Sequence, residues 1–426
     1  MSNALPCGSQ LLMIRCDCEA LESARRISVL EQGRWDKALS KSLDFQNFAE
    51  VRAIAKRRLP RGIFEYIDRG AEDERALTSN RLAFDRVKIQ PYVLRGGVKP
   101  RSTSVSLFGS EYPAPLIVTP TAFAGLVRYR GEIELAQAAA EFGIPFCAAT
   151  EAITSVEEIA HASPAPVWFQ LYLWDNEAVS YELMDKAWSA GARTLVLTAD
   201  TPVMPKREFN RRNGFDIPFR FSSKNIVDVA LHPGWACGVL GRYMVTTGLP
   251  NFANYPLKYR KSLLKRGGGP SLNLMPELSW NHVCQVREHW KGNLIVKGIL
   301  RKEDALKAID VGAQGIVISN HGGRMFDSSV PPIEVLREIA DSVGHELTVL
   351  ADSSIQRGSD IFKLIAAGAK AVLVGRSMLY ATAAGGRQGA MQMMQILSDE
   401  LAMTMDLSGC RTLADIDESL LFRGQY

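Results

Sequence analysis

The sequence contains no run of 18 apolar residues, so no segment of it reads as a transmembrane helix. It also lacks a disulfide framework. Its 7 cysteines are odd in number and scattered, at Cys7, Cys16, Cys18, Cys147, Cys237, Cys284 and Cys410. Cys16 and Cys18 form a lone C-x-C, too little for a zinc site, and a reducing compartment is the default. Charge of one sign is scarce as well. The 50 Lys and Arg face 46 Asp and Glu, for a formal net charge of +4, which gives no reason to expect a nucleic-acid partner. There is no P-loop and no strand-linked G-x-G-x-x-G, so neither a nucleoside triphosphate nor a Rossmann-bound dinucleotide is expected. The patch Leu11–Ile14 ends at Arg15 and is shorter than a secretory core. Residues 1–45 are polar and patternless and read as a loose extension.

What is present is a globular composition, 46% hydrophobic and 23% charged. From about residue 113, short Val/Ile/Leu-rich runs alternate with amphipathic stretches. The runs lie at 115–121, 145–150, 167–173, 194–200, 294–298, 315–320, 348–352 and 371–375. Continuous apolar runs of this length suit parallel strands buried on both faces. Eight such units predict an α/β fold, a (β/α)8 TIM barrel over about 113–405 within a domain at 46–426. A doubly wound open sheet is the runner-up. Polar residues gather at the expected C-terminal strand ends: Thr121, Gln170 and Tyr172, Thr198 and Asp200, Lys297, Asn320 and His321, Asp352, Arg376. In a barrel that rim is the active face. Residues 46–70 carry Phe48, Val51, Ile54 and Ala55 at helical spacing, then Pro60 and a second helix, and read as an N-terminal lid or plug. Residues 209–279 form an insertion between the fourth and fifth strands, too long for an ordinary connection.

Four rim segments carry chemistry. Ser319-Asn-His321-Gly-Gly-Arg324 places a potential base beside a carboxylate-binding fork. A lone His is as often structural, but the polar rim around it favours the functional reading. Asp200 could orient His321, or merely cap a helix. Arg207 could contact an anionic substrate, or be solvated. Lys297, buried in the barrel mouth, needs a partner or a role, either as a Schiff base or in stabilising an anion. Gly375-Arg376, with Asp352-Ser-Ser354-Ile-Gln-Arg-Gly358, matches the usual phosphate site of barrels.

In these motifs, taken in order, the chain resembles the FMN-dependent L-2-hydroxy acid oxidase/dehydrogenase family over about residues 46–420. The shared segments are Tyr66 in F-E-Y-I-D-R-G-A-E-D-E, Pro120-Thr121-Ala122, Gln170-Leu-Tyr172, Leu197-Thr198-x-Asp200-Thr, Val296-Lys297-Gly, Ser319-Asn-His321-Gly-Gly-Arg324 and Gly375-Arg376. The resemblance implies an FMN enzyme that oxidises a small 2-hydroxy acid to the keto acid. His321 would be the base and Asp200 its support. Arg324 and Arg207 would clamp the carboxylate, and Tyr66 and Tyr172 would bond the substrate. Lys297 would lie at the electron-rich edge of the flavin, which displaces the Schiff-base reading. Pro120, Thr121, the backbone at Ala122, Gln170, Thr198, Asp352, Ser354, Gly375 and Arg376 would hold FMN. Both hydride transfer with His321 taking the hydroxyl proton and removal of the α-proton by His321 are open. A homotetramer is the common assembly of the family.

The chain departs from the family pattern in three places. Ala149 stands where Ser is usual, and Asp352-Ser353-Ser354-Ile355-Gln356 stands in place of D-G-G-[VI]-R. Glu151 occupies a substrate-side position that is often Trp, Leu or Ala. The insertion, through Leu231-His-Pro-Gly-Trp235 and Gly248–Tyr255, resembles the loop of (S)-mandelate dehydrogenase and more loosely that of membrane L-lactate dehydrogenase. That implies a dehydrogenase with a quinone or cytochrome acceptor, and an aromatic 2-hydroxy acid ahead of lactate. The alternatives are an L-lactate dehydrogenase and a soluble oxidase using dioxygen. Between Phe215 and Ser279 eight basic residues (Arg220, Lys224, Arg242, Lys258, Arg260, Lys261, Lys265 and Arg266) oppose three acidic ones. Interleaved aromatics complete a pattern suited to an anionic membrane surface. The expected location is peripheral, on the cytoplasmic face of the cell membrane, with the cytoplasm as the alternative.

Overall fold

The structure, a computed structural model, describes residues 43–95, 101–215, 222–260 and 272–424. The chain from Phe45 to Tyr426 forms one compact unit. The expected extension at 1–45 therefore lies almost wholly outside the described residues.

Eight parallel strands form the barrel. They are β1 (Leu116–Val118), β2 (Cys147–Ala148), β3 (Trp168–Leu171), β4 (Thr194–Thr198), β5 (Asn293–Ile299), β6 (Gly315–Ile318), β7 (Thr348–Ala351) and β8 (Ala371–Val374). Each falls within or across one apolar run of the sequence. The strand order runs β1-β8-β7-β6-β5-β4-β3-β2. A parallel bridge from Val118 to Phe146 then joins the two edge strands and closes the circle, so the open-sheet alternative falls away. β2 is shorter than its run, but the residues before it still bond both neighbours: Pro145 O accepts from Val118 N–H and Phe146 O from Trp168 N–H, each at 2.9 Å.

Inward-facing residues from the strands fill the interior: Ile117, Cys147, Trp168, Val196, Ile295, Val317, Leu350, Ala371 and Leu373 form one buried cluster. Val105 and Leu107, from a hairpin of Val105–Leu107 with Ser110–Tyr112, join it. Phe108 at the hairpin tip meets Trp168 edge-on, with ring centroids 5.7 Å apart. The hairpin thus plugs one end of the barrel.

The N-terminal helices serve the other end. α1 (Phe48–Arg58), α2 (Arg61–Asp68) and α3 (Arg75–Arg86) send Phe48, Arg52, Tyr66, Asp68, Leu77 and Arg81 to the wall of the same cavity as the strand ends. The segment read as lid or plug is therefore part of the rim. Within the insertion, helices cover Glu208–Asn213, Ser223–Ala230 and Arg242–Thr246. The segment 251–255 docks on the end of β2: Ala253 N–H donates to Ala152 O (3.0 Å) and Asn254 Nδ2 to Ala149 O (3.0 Å).

Candidate functional site

A cavity of about 370 Å³ opens at the C-terminal ends of the strands, within the size range of small-molecule and cofactor sites. Its wall includes Tyr66, Pro120, Thr121, Ala122, Gln170, Tyr172, Thr198, Arg207, Lys297, His321, Arg324, Asp352, Ser354, Gly375 and Arg376. Of the residues given a catalytic, substrate or cofactor role from the sequence, only Asp200 stands off this wall. It lies behind His321, its Oδ1 3.0 Å from Nδ1 of the ring. Asn320, counted among the polar rim, turns away and exchanges amide bonds with Asn80 of α3 at 2.9 and 2.7 Å.

Several devices hold the imidazole. His321 has a left-handed backbone, φ 57°, a conformation that costs energy in a non-glycine residue and persists only where neighbours enforce it. Here Ser319 Oγ accepts the His321 N–H at 3.0 Å. Gly323 follows at φ +72°, so close to α3 that a Cβ would come within 2.5 Å of Leu77 N. On the facing strand a bulge at Gly298 (φ +106°) brings β5 against Asp200, where a Cβ would sit 2.6 Å from the aspartate Cβ. Burial lowers the His321 pKa below its ordinary 6.5, and nearby Lys297 and Arg324 push the same way, against Asp200. Burial opposes ionisation of Asp200, but His321 and Lys297 outweigh it and hold the carboxyl below its ordinary value. A neutral ring donating Nδ1–H to a charged Asp200 leaves the Nε2 lone pair for a ligand.

Three half-buried guanidiniums face the cavity without a carboxylate partner among the described residues. Arg324 Nη1 donates to the backbone carbonyls of Tyr66, Ile67 (3.4 Å) and Arg69 (3.1 Å). Arg376 donates to Ile67 O (3.0 Å) and Gly322 O (2.9 Å). Arg207 donates through Nη2 to Arg324 O at 3.0 Å, and its buried Nε has no partner. Burial, with Arg207 beside it, pushes Arg324 down to about 9, and burial lowers Arg376 as well. Cations partly withdrawn from water without a counter-charge are costly, so this end of the cavity suits anions.

Lys297 is paired differently. Its Nζ lies 2.9 Å from Asp352 Oδ2 and donates to Ser319 Oγ at 2.8 Å. Burial opposes its charge, yet Asp352 and Asp200 outweigh that and hold it protonated. Gln170 donates through Nε2 to Thr198 Oγ1 (3.0 Å) and accepts from Thr150 N–H (3.1 Å). At the far end, Ser353 and Ser354 take left-handed backbones, φ 81° and 61°. Gly375 caps the helix Arg376–Ser408, whose N-terminus opens here.

Sequence reasoning missed Arg81 and Ser319. Arg81 lines the cavity and is held bidentately by Asp360, at 2.8 Å twice. Nothing in the helical pattern of α3 distinguishes it from a surface arginine. Ser319 is the shared acceptor of Lys297 and His321, a role visible only once β5 and β6 lie side by side.

A closed parallel barrel with a histidine–aspartate pair, a buried lysine and unpaired arginines at its C-terminal rim has the layout of a flavin-phosphate-binding oxidoreductase. The family model for FMN-dependent dehydrogenases matches residues 55–423, and the chain belongs to that family. Among curated relatives, the L-lactate dehydrogenase of Caulobacter sp. (strain K31) is 39% identical over 374 residues, covering 87% of this chain and 97% of the relative. That of Pseudomonas syringae pv. syringae (strain B728a) is 38% identical over 377 residues, covering 88% and 98%. Among solved structures, the monotopic membrane protein (S)-mandelate dehydrogenase superposes with TM-score 0.82 at 33% identity, covering 89% of this chain and 100% of the other. A mandelate oxidase bound to 3,3-difluoro-2-hydroxy-3-phenylpropionic acid gives TM-score 0.73 at 33% identity, covering 89% and 98%. The cofactor is FMN, and Arg376, which has no carboxylate partner among the described residues, together with the charged Lys297 fits an anionic flavin nucleotide.

Proposed function

We propose that the enzyme oxidises an L-2-hydroxy acid to the 2-keto acid, with an aromatic acid of the (S)-mandelate kind as substrate and a membrane quinone or cytochrome as electron acceptor. The observation that carries this reading is the unpaired Arg207–Arg324 pair beside the His321–Asp200 couple. Together they offer a carboxylate clamp next to a base.

In this reading Arg324 and Arg207 bind the substrate carboxylate, and Tyr66 and Tyr172 bond its polar oxygens. Phe123 and Phe215 back the Tyr66 ring, at centroid distances of 5.0 and 5.2 Å. His321 Nε2 accepts a proton from the CH–OH centre, and Asp200 stabilises the imidazolium that results. FMN, when bound, supplies the two-electron acceptor. Lys297, Gln170, Thr198 and the backbone at Ala122 hold its ring, with Pro120 and Thr121 alongside. Asp352 keeps Lys297 in place, while Ser354, Gly375 and Arg376 hold its phosphate.

Gln356 lies on the cavity wall at that phosphate end. Gln356→Arg is expected to tighten FMN binding about tenfold, because it adds one charge-assisted bond to a dianion. Titration of the apoenzyme by flavin-fluorescence quenching checks this. Unchanged or weaker affinity would remove Gln356 from the phosphate site.

Membrane association rests on the insertion and the loop before it. No helix among the described residues is long and apolar enough to span a bilayer. Val203 (70%), Met204 (71%), Leu231 (73%), Met244 (61%), Val245 (84%) and Leu257 (82%) are nonetheless exposed. Lys224, Arg242, Lys258 and Arg260 lie in the same described stretch, whereas Arg220, Lys261, Lys265 and Arg266 fall outside the described residues. The likeness to a monotopic neighbour supports the same reading. The protein is expected to sediment with anionic liposomes at low salt and to be released as salt screens its charges. Protein left in the supernatant at low salt would rule this out.

The L-lactate dehydrogenase relatives favour a second reading, in which lactate is the substrate. Steady-state turnover of L-lactate and (S)-mandelate, each with a quinone analogue and with dioxygen, separates the readings. Faster turnover of (S)-mandelate with the quinone supports the first. A preference for lactate, or for dioxygen, selects the dehydrogenase or oxidase alternative.

A further inference from the structure

Three carboxyl groups line the cavity; Asp68 and Asp352 are paired with Arg52 and Lys297, whereas Glu151 has no basic side chain within salt-bridge distance among the described residues. It follows β2 at the rim, and the backbone around it is pinned by Asn254 of the insertion, which donates to the carbonyls of Ala149 and Thr150 at 3.0 and 3.3 Å. Its only hydrogen-bonding contact among the described residues is Tyr255 Oη, at a long 3.5 Å. Tyr255 itself packs against Trp174 and Phe252, at centroid distances of 4.8 and 5.2 Å. The carboxyl therefore has one weak partner, a tyrosine braced by two aromatic rings, and shares the cavity wall with Arg207 and Tyr172. A half-buried carboxyl with so few partners is costly unless a ligand completes its hydrogen bonds. Burial also pushes it up from the usual carboxylate range, against the pull of Arg207 and Tyr255.

Resting on the hydroxy acid reading above, we infer that Glu151 is a specificity-determining residue that hydrogen-bonds a hydroxyl or amine on the side chain of the substrate. The preferred substrates are then 2-hydroxy acids with a polar substituent remote from the carboxylate. The Arg207–Arg324 clamp holds the carboxylate end, and Glu151 receives the distal polar group against the Tyr255 wall. An apolar side chain of equal size would leave the carboxyl unsatisfied, and such sites reject analogues that lack the matching group.

The test uses the FMN-loaded enzyme and its Glu151→Gln and Glu151→Ala variants. Anaerobic flavin reduction is followed with mandelates bearing a ring hydroxyl or amine at the meta or para position, each paired with its methyl counterpart, and with (S)-mandelate itself. The native enzyme is expected to favour at least one polar member over its methyl partner by on the order of 10- to 100-fold in kcat/KM. Glu151→Ala should abolish or invert that preference while still reducing its flavin with (S)-mandelate, and Glu151→Gln should retain part of it. Reduction by (S)-mandelate with a methyl/polar ratio that Glu151→Ala leaves unchanged would overturn this inference alone. Failure of every acid to reduce the bound flavin of the native enzyme would overturn the hydroxy acid reading beneath it.

Discussion

His321→Gln is expected to retain FMN and the fold but to lose about 10²- to 10⁴-fold in kcat, the usual contribution of a positioned general base. Glutamine keeps the polarity of the site but cannot take up a proton at the position of Nε2. The pH dependence follows from the direction of the His321 shift. Burial lowers its pKa below 6.5, and the base works only when neutral. In the native enzyme kcat/KM should therefore rise with pH through a midpoint below 6.5 and then level off. Asp200 is the group that pulls this pKa back up. Asp200→Asn should move the midpoint to still lower pH and reduce the plateau rate, because the imidazolium loses its counter-charge. A plateau that falls with no movement of the midpoint would point to a structural role for Asp200.

Arg324→Lys carries the second large effect. A lysine keeps the charge but cannot donate from one plane to a carboxylate while also holding the carbonyls of Tyr66, Ile67 and Arg69. Disturbing a buried, charge-assisted contact costs about 2–5 kcal/mol. A loss of about 10²-fold or more in kcat/KM is expected, with FMN affinity nearly unchanged. Steady-state kinetics together with flavin titration check this. Near-native kcat/KM would remove Arg324 from the carboxylate clamp.

The barrel was legible in the sequence because its strands, buried on both faces, leave continuous apolar runs, and each run is followed by a helix with its own stop. The insertion was legible as an interruption of that alternation. At the rim, His321, Arg324, Lys297 and Gln170 could be found because they are polar residues at the ends of apolar strands, where burial demands a reason. Other features depend on contacts between distant segments. Asn320 looks like a rim residue, yet its amide is taken by Asn80 of α3, some 240 positions away in the chain. Arg81 reaches the cavity only because Asp360, on a helix after β7, fixes its guanidinium. The plug at the opposite end is a hairpin of three-residue strands, too short for a period-2 pattern to register. The left-handed Ser353 and Ser354 follow neither propensity nor periodicity; the bond from Ser353 Oγ to Asp352 (2.8 Å) and that from Gly322 N–H to Ser353 Oγ (3.1 Å) accompany them.

Charged with FMN, this cavity is expected to accept two electrons from a 2-hydroxy acid whose proton goes to His321. This is tested most directly by mixing the FMN-loaded enzyme anaerobically with (S)-mandelate and following the flavin absorbance. Complete bleaching with formation of one equivalent of the 2-keto acid is expected, and bleaching slowed by orders of magnitude in His321→Gln. Flavin that stays bound and oxidised in the presence of (S)-mandelate, L-lactate and the substituted mandelates alike would contradict it.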